Sequence, residues 1–170
     1  MKIVLFGFPG TGTSSVGRCL ASDLGCPFVD VDELFAAEQG DRRRHFALVE
    51  GEESVRRLER EAVARALRSG DCVIAAGAAE VPRETLLSAG DVEAVLLTAE
   101  PAMVLARTAA SLEERISSLK SRDAIETVRV LMRERERRFP PCRLRLDTTS
   151  LTPEESARRI RDALRHPPAG

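Results

Sequence analysis

Net charge of either sign is what this sequence lacks most plainly: 26 Lys and Arg stand against 27 Asp and Glu, a formal balance of -1. No global field therefore argues for nucleic acid or a membrane surface as partner. Lysine is nearly missing, present only at Lys2 and Lys120, so arginine carries the positive charge. Guanidinium forks suit phosphate and carboxylate ligands, although biased codon usage is the simpler account of the imbalance. Cys19, Cys26, Cys72 and Cys142 form no C-x-x-C pair, and no histidine stands near them at ligand spacing. That argues against zinc and disulfides and for reduced, mostly buried thiols in a cytoplasmic protein. No apolar run approaches the length of a membrane span, and the N-terminus enters a strand without the pattern of an export signal. No repeat or linker divides the 170 residues, which suffice for one domain with a sizeable core.

What is present begins at the front. Ile3 to Phe6 is apolar on both faces, as in a buried parallel strand, and runs into Gly7-Phe8-Pro9-Gly10-Thr11-Gly12-Thr13-Ser14-Ser15. An amphipathic helix follows from Thr13 or Ser14 to about Leu24, stopped by Gly25. The layout is that of a phosphate-binding loop between strand and helix. Gly7 to Ser14 fits G-x-x-x-x-G-K-[ST] except that Thr13 stands where the motif has Lys.

Further along, the pattern predicts strands at Pro27–Val29, Cys72–Ala75, Val92–Leu97 and Arg143–Asp147, each read as apolar on both faces. Helices are expected from Glu33 to Gln39, Glu52 to Leu67, Arg83 to Ala89, Pro101 to Ala109, Asp123 to Arg138 and, capped by Thr152 with Pro153 first inside, to Leu164. Asp41–Arg44 reads as an exposed turn, His45–Val49 as an ambiguous apolar stretch, Ser111–Arg122 as a mobile charged insertion and 166–170 as a flexible tail. Strands alternating with helices imply a parallel sheet covered on both faces, with ligands at the carboxyl ends of the strands. Gly7, Asp30, Asp32 and Gly77 all follow strand ends and should converge on one crevice.

At this point the chain resembles the shikimate kinases, small P-loop kinases of aromatic amino acid biosynthesis. The likeness spans nearly the whole length. It rests on the Gly7–Arg18 stretch, on Phe28-Val29-Asp30-Val31-Asp32-Glu33-Leu34, on Glu50-Gly51-Glu52-Glu53-Ser54-Val55-Arg56-Arg57-Leu58-Glu59, and on Leu131-Met132 with Arg135. It implies a single α/β domain over 1–165, a five-stranded parallel sheet in the order 2-3-1-4-5, and a small lid at about 109–123. It further implies ATP and Mg²⁺ as cofactors, phosphoryl transfer to the 3-hydroxyl of shikimate, and a monomer without nucleic-acid or membrane partners.

Residue by residue, the resemblance places nucleotide at Gly10, Thr11, Gly12, Thr13, Ser14 and Ser15, with Arg107 and Pro153 packing the adenine. Ser14 would hold the metal directly and Asp30 through water. Asp32 would bind and orient the acceptor hydroxyl, Arg56 and Arg135 would hold the acceptor carboxylate, Gly77 with Ala78 and Ala79 would form the substrate loop, and Arg115 would be the lid arginine. Competing structural readings stand beside these: Asp30 and Asp32 as helix caps, Arg56 in i,i+4 pairs along an Arg/Glu-rich helix, and Arg135 on a solvated charged face.

The chain also departs from the family. Thr13 replaces the P-loop Lys, Ala78 and Ala79 replace the second and third Gly of the substrate loop, and Arg115-Ile116-Ser117 lacks the family's Pro. Two function classes stay open. One is an active kinase, its lost cation replaced by Arg18, Arg115 or Lys120 if at all; the other is a catalytically impaired relative binding nucleotide, a shikimate-like ligand or a protein.

Overall fold

The computed structural model describes residues 1–39, 52–116 and 121–165, apart from the side chains at 35–36, 38–39, 52, 109–116 and 121–122. Expectations on 41–49 and on the tail lie outside the described residues. Five strands, β1 (Lys2–Gly7), β2 (Phe28–Asp30), β3 (Cys72–Gly77), β4 (Val92–Thr98) and β5 (Leu144–Asp147), form one sheet in the order β2-β3-β1-β4-β5. All neighbours are parallel, and β1 lies at the centre, with Val4 opposite both Ile74 and Ala94.

Alternate side chains of the central strands feed two separate cores. Val4, Phe6, Ile74 and Leu96 pack with Ala62, Val63 and Ala66 on one face, while Ile3, Leu5, Val73, Val95 and Leu97 pack with Val16, Leu20, Ala157 and Ile160 on the other. Each fully buried Val, Leu, Ile or Phe side chain among them contributes about 1.5–3 kcal/mol. Burial on both faces explains why these strands read as unbroken apolar runs. The edge strand β5 is the exception to the expected all-apolar pattern: Leu144 and Leu146 pack inward while Arg145 and Asp147 face out. A strand with a single neighbour, covered on one face only, alternates.

Helices α1 (Thr13–Leu24), α2 (Val31–Gln39), α3 (Glu52–Ala66), α4 (Arg83–Ser88), α5 (Pro101–Ile116), α6 (Ser121–Glu136) and α7 (Pro153–Arg165) connect and cover the strands. Gly25 ends α1 in the left-handed conformation, its N–H and that of Cys26 returning to the last carbonyls of the helix. Thr152 and Glu155 make a reciprocal capping box at the start of α7, Glu155 N–H to Thr152 Oγ1 at 3.2 Å and Thr152 N–H to Glu155 Oε2 at 2.8 Å.

Two expected boundaries are corrected. Helix α2 begins at Val31 rather than Glu33, because Asp30 Oδ1 accepts the Asp32 N–H at 3.0 Å and the Glu33 N–H at 3.4 Å and so caps it. Helix α5 runs on to Ile116 instead of ending at Ala109. Leu112-Glu113-Glu114-Arg115 lack an apolar period, but they are good helix formers and no Gly or Pro interrupts them. Of the cysteines, only Cys72 is buried; Cys19, Cys26 and Cys142 are half-buried, and all four are free thiols.

Candidate functional site

The loop after β1 turns at Gly10 (φ 90°) and Gly12 (φ 95°). At Gly10 the need for glycine is double: the backbone is left-handed, and a Cβ would stand 2.8 Å from Thr108 Cγ2 on α5. Gly12 caps α1 without any side-chain hydrogen bond, and no acidic residue sits in the first turn. The first bond of the helix runs from Val16 N–H to Gly12 O at 2.9 Å, so the amides of Thr13, Ser14 and Ser15 stand outside the helical ladder. Helix α7 satisfies its own N-terminus with a capping box, whereas α1 leaves its N-terminus open to an anion.

The outer side of the loop is tied down. Thr11 is buried and donates its hydroxyl to Phe8 O at 2.8 Å. Thr148, the residue after β5, places Oγ1 at 2.9 Å from Thr11 O. Arg107 of α5 donates to Gly10 O at 3.2 Å and to Thr148 O at 2.8 Å. Asp147 anchors the same turn, its carboxyl held below its ordinary range by the hydroxyl and the N–H of Thr149. A cavity of about 120 Å³ opens here, lined by Thr11, Gly12, Ser15, Arg107, Leu151 and Pro153 among others. It is smaller than the ~300–1,000 Å³ of a drug-sized ligand site and suits one flat ring system. Arg107 and Pro153 line this cavity together, and the Arg107 guanidinium donates to backbone carbonyls and to Thr148 Oγ1.

On the inner side, the ends of β1, β2 and β3 bring three expected residues together. Gly77 is left-handed (φ 55°), and the position of its missing Cβ lies 3.6 Å from Asp32 Oδ2 and 3.9 Å from Thr13 Oγ1. Asp32, Gly77 and Thr13 therefore border one crevice. Ala78 and Ala79 sit there without strain, since no described non-glycine residue has positive φ, and Ala79 is buried in the core. The methyl groups have been accommodated by an ordinary backbone, not by a forced copy of a glycine conformation.

Arg56 and Arg135 do converge, and on a residue that sequence reasoning passed over. Glu80 Oε1 lies 3.2 Å from Arg135 Nη1, 2.9 Å from Arg138 Nη1 and 3.7 Å from Arg56 Nε. Arg135 Nη1 also reaches Ala78 O at 3.5 Å. The available signal was a carboxylate placed directly behind Gly77-Ala78-Ala79 in a chain whose two candidate carboxylate holders, Arg56 and Arg135, are both arginines.

Arg18, considered as a substitute cation, points elsewhere: it pairs with Glu33 and lies 4.8 Å over the Phe28 ring. Arg115 belongs to α5, but its side chain and Lys120 lie outside the described residues. Phe8 is a packing residue against Ala99, Val104 and Val128. A larger cavity, about 400 Å³, lies between α3 and α4 around Ala64, Leu67 and Thr85. Lys2 Nζ on Ala89 O at 3.0 Å puts it at the amino end of the sheet, away from the loop after β1.

These residues fit a nucleotide phosphate in shape and in amide donors, and Thr13 stands where the loop motif has lysine. Among the described residues no group of three or more His, Cys, Asp or Glu could hold a metal. A divalent ion would have the Ser14 hydroxyl and, through water, the Asp30 carboxylate, whose Oδ1 also caps α2, beside the ligand's own oxygens.

Comparison with known proteins agrees over most of the chain. Residues 9–165 match the shikimate kinase family model. The shikimate kinase of Moorella thermoacetica is 35% identical over 167 residues, 96% of this chain and 94% of that protein. That of Geobacter metallireducens is 35% identical over 158 residues, covering 91% and 86%. Among solved structures, the Aquifex aeolicus shikimate kinase superposes with a TM-score of 0.72 at 25% identity, covering 97% of this chain and 96% of the other. The Bacteroides thetaiotaomicron shikimate kinase gives 0.81 at 18% identity, covering 98% and 99%, a likeness of fold.

Proposed function

The chain belongs to the shikimate kinase family, and from that premise we propose that it transfers the terminal phosphoryl group of ATP to the 3-hydroxyl of shikimate, at a rate held down by Thr13. The observation that carries this reading is the shared crevice in which Asp32 Oδ2 and Thr13 Oγ1 both approach Gly77, at 3.6 Å and 3.9 Å from its Cβ position. A phosphoryl donor on the loop and an acceptor hydroxyl at Asp32 would then be neighbours.

Phosphoryl transfer asks a protein mainly for positioning and for neutralising charge on the oxygens around the transferred group. The amides of Thr13, Ser14 and Ser15 supply fixed donors, with the dipole of α1 behind them. Asp32 aims the acceptor hydroxyl or takes its proton. Arg56 and Arg135 hold the acceptor's carboxylate, and Ser14 would hold Mg²⁺. Bound MgATP would supply the phosphoryl group and a counter-charge for it. Arg107 and Pro153 would flank the base.

A second reading is favoured by Thr13: a catalytically impaired protein that binds nucleotide and acceptor without useful turnover. Shikimate-dependent ADP release by the native chain and by Asp32→Asn separates the two. The first reading expects slow release that Asp32→Asn abolishes. No shikimate-dependent release from the native chain or from Thr13→Lys, with nucleotide binding intact by calorimetry, leaves the second.

A further inference from the structure

Three guanidinium groups, Arg56 on α3, Arg135 on α6 and Arg138 just beyond it, close on one oxygen of Glu80 at 3.7, 3.2 and 2.9 Å. The cluster is half-buried: the Glu80 side chain is 21% exposed, Arg56 28% and Arg135 33%, whereas Arg138 is 47% exposed. An anion clamp of this kind recognises carboxylates through charge-assisted hydrogen bonds. Here the chain itself supplies the carboxylate.

We propose that Glu80 is a built-in competitor for the acceptor's carboxylate, which binds by displacing it from the Arg56–Arg135 pair. The proposal rests on the reading that these two arginines hold the acceptor. Glu80 follows β3 directly behind the substrate loop, and Arg135 contacts both Glu80 and the loop carbonyl of Ala78. An acceptor seated against Gly77 and Ala78 therefore meets the same N–H donors that Glu80 engages. Arg56 Nη1 also lies 3.8 Å from the exposed Glu53 carboxylate, while Arg135 and Arg138 both turn to Glu80. Arg138, the most exposed of the three, gives Glu80 a partner to follow outward when it yields. The consequence is specificity: the resident carboxylate lowers affinity for carboxylate-bearing acceptors and leaves neutral ones untouched.

Calorimetry on the native chain, Glu80→Gln and Glu80→Ala tests this with three probes: shikimate, its carboxyl-reduced alcohol, and cyclohex-1-ene-carboxylate. Glu80→Gln retains the side-chain shape, and thermal unfolding checks that both variants fold. Both variants should bind the two carboxylates at least about tenfold tighter than the native chain, the worth of one charge-assisted hydrogen bond no longer contested. Affinity for the alcohol should not move. Unchanged or weaker carboxylate binding in the variants overturns the proposal, the weaker result meaning that Glu80 organises the clamp. No carboxylate binding by any of the three proteins overturns it as well. Failure of the shikimate reading looks different: shikimate would bind no tighter than cyclohex-1-ene-carboxylate in any of the proteins, while the gain on removing Glu80 would persist.

Discussion

Replacing Thr13 with lysine tests how much the missing charge costs. Thr13 is the first residue of α1, and its Oγ1 lies 3.9 Å from the Cβ position of Gly77, so position 13 borders both the phosphate loop and the acceptor crevice. An ammonium group from this position would stand beside the transferring phosphoryl group. One unit charge about 4 Å from an anionic oxygen, at an effective dielectric constant of roughly 20, is worth about 4 kcal/mol. At ~1.4 kcal/mol per tenfold that is about 10³ in rate, the low end of the ~10³–10⁵ that an arginine finger supplies in related chemistry. Thr13→Lys should therefore raise kcat for shikimate-dependent ADP release by about 10³. Stability should fall slightly, by roughly 0.3–1 kcal/mol, because a cation now meets the positive end of the α1 dipole. A folded Thr13→Lys that binds ATP yet stays within about threefold of native kcat refutes the argument. The limit then lies at Ala78-Ala79 or in the lid. A native chain already turning over at the ~1–100 s⁻¹ usual for kinases refutes it from the other side.

Other expectations follow from single contacts. Gly10→Ala combines φ 90° with a Cβ 2.8 Å from Thr108 Cγ2 and should lose about 2–5 kcal/mol in urea unfolding. Gly25→Ala, left-handed but in open space, should lose only ~1–2 kcal/mol; equal losses would remove the steric part of the case. Arg107→Ala unties Gly10 O and Thr148 O and should weaken ADP binding by about tenfold, read by calorimetry; unchanged affinity would show that the tie is not needed. Burial pushes the Cys142 thiol up to about 11 from an ordinary 9.0. Between those values the unfolded chain has released its proton and the folded chain has kept it, so this group makes stability fall as pH rises through that window. A Cys142→Ala variant should flatten that part of the stability profile, and an unaltered profile would contradict the assignment.

Features specified within a few neighbouring residues were legible beforehand. Gly25 stopping α1, Thr152 and Pro153 opening α7, and the Gly7–Ser15 loop are all local rules of capping and turn chemistry, and the structure follows them. The strand order came through the resemblance, and the two-sided burial of β1, β3 and β4 through their unbroken apolar runs. Asp30 and Asp32 separate under the structure: the first caps α2, and the second faces Gly77. What could not be read was tertiary. Glu80 meets arginines 24, 55 and 58 positions away in the chain, and no local pattern marks such a meeting. The Arg107 ties to Gly10 and Thr148 have the same origin. The extension of α5 was missed for a different reason, since helix propensity without an apolar period leaves no periodic signal.

In the proposed reaction, Thr13 and Glu80 each lower the positive charge offered to a ligand, at two separate places. Position 13 withholds a cation from the phosphoryl side, and Glu80 places an anion among the cations of the acceptor side. Both lower the positive potential facing two anionic ligands, yet they act at different stages. A charge at 13 acts on charge redistributed during transfer and so belongs to kcat. Glu80 acts on the bound acceptor before transfer and so belongs to KM. The double variant Thr13→Lys/Glu80→Gln should therefore show the kcat of the first single variant and the KM for shikimate of the second, with the gains multiplying in kcat/KM to within about twofold. Should the KM gain of Glu80→Gln vanish in the Thr13→Lys background, the two residues share one field. The separation into a transfer side and an acceptor side would then have to be abandoned.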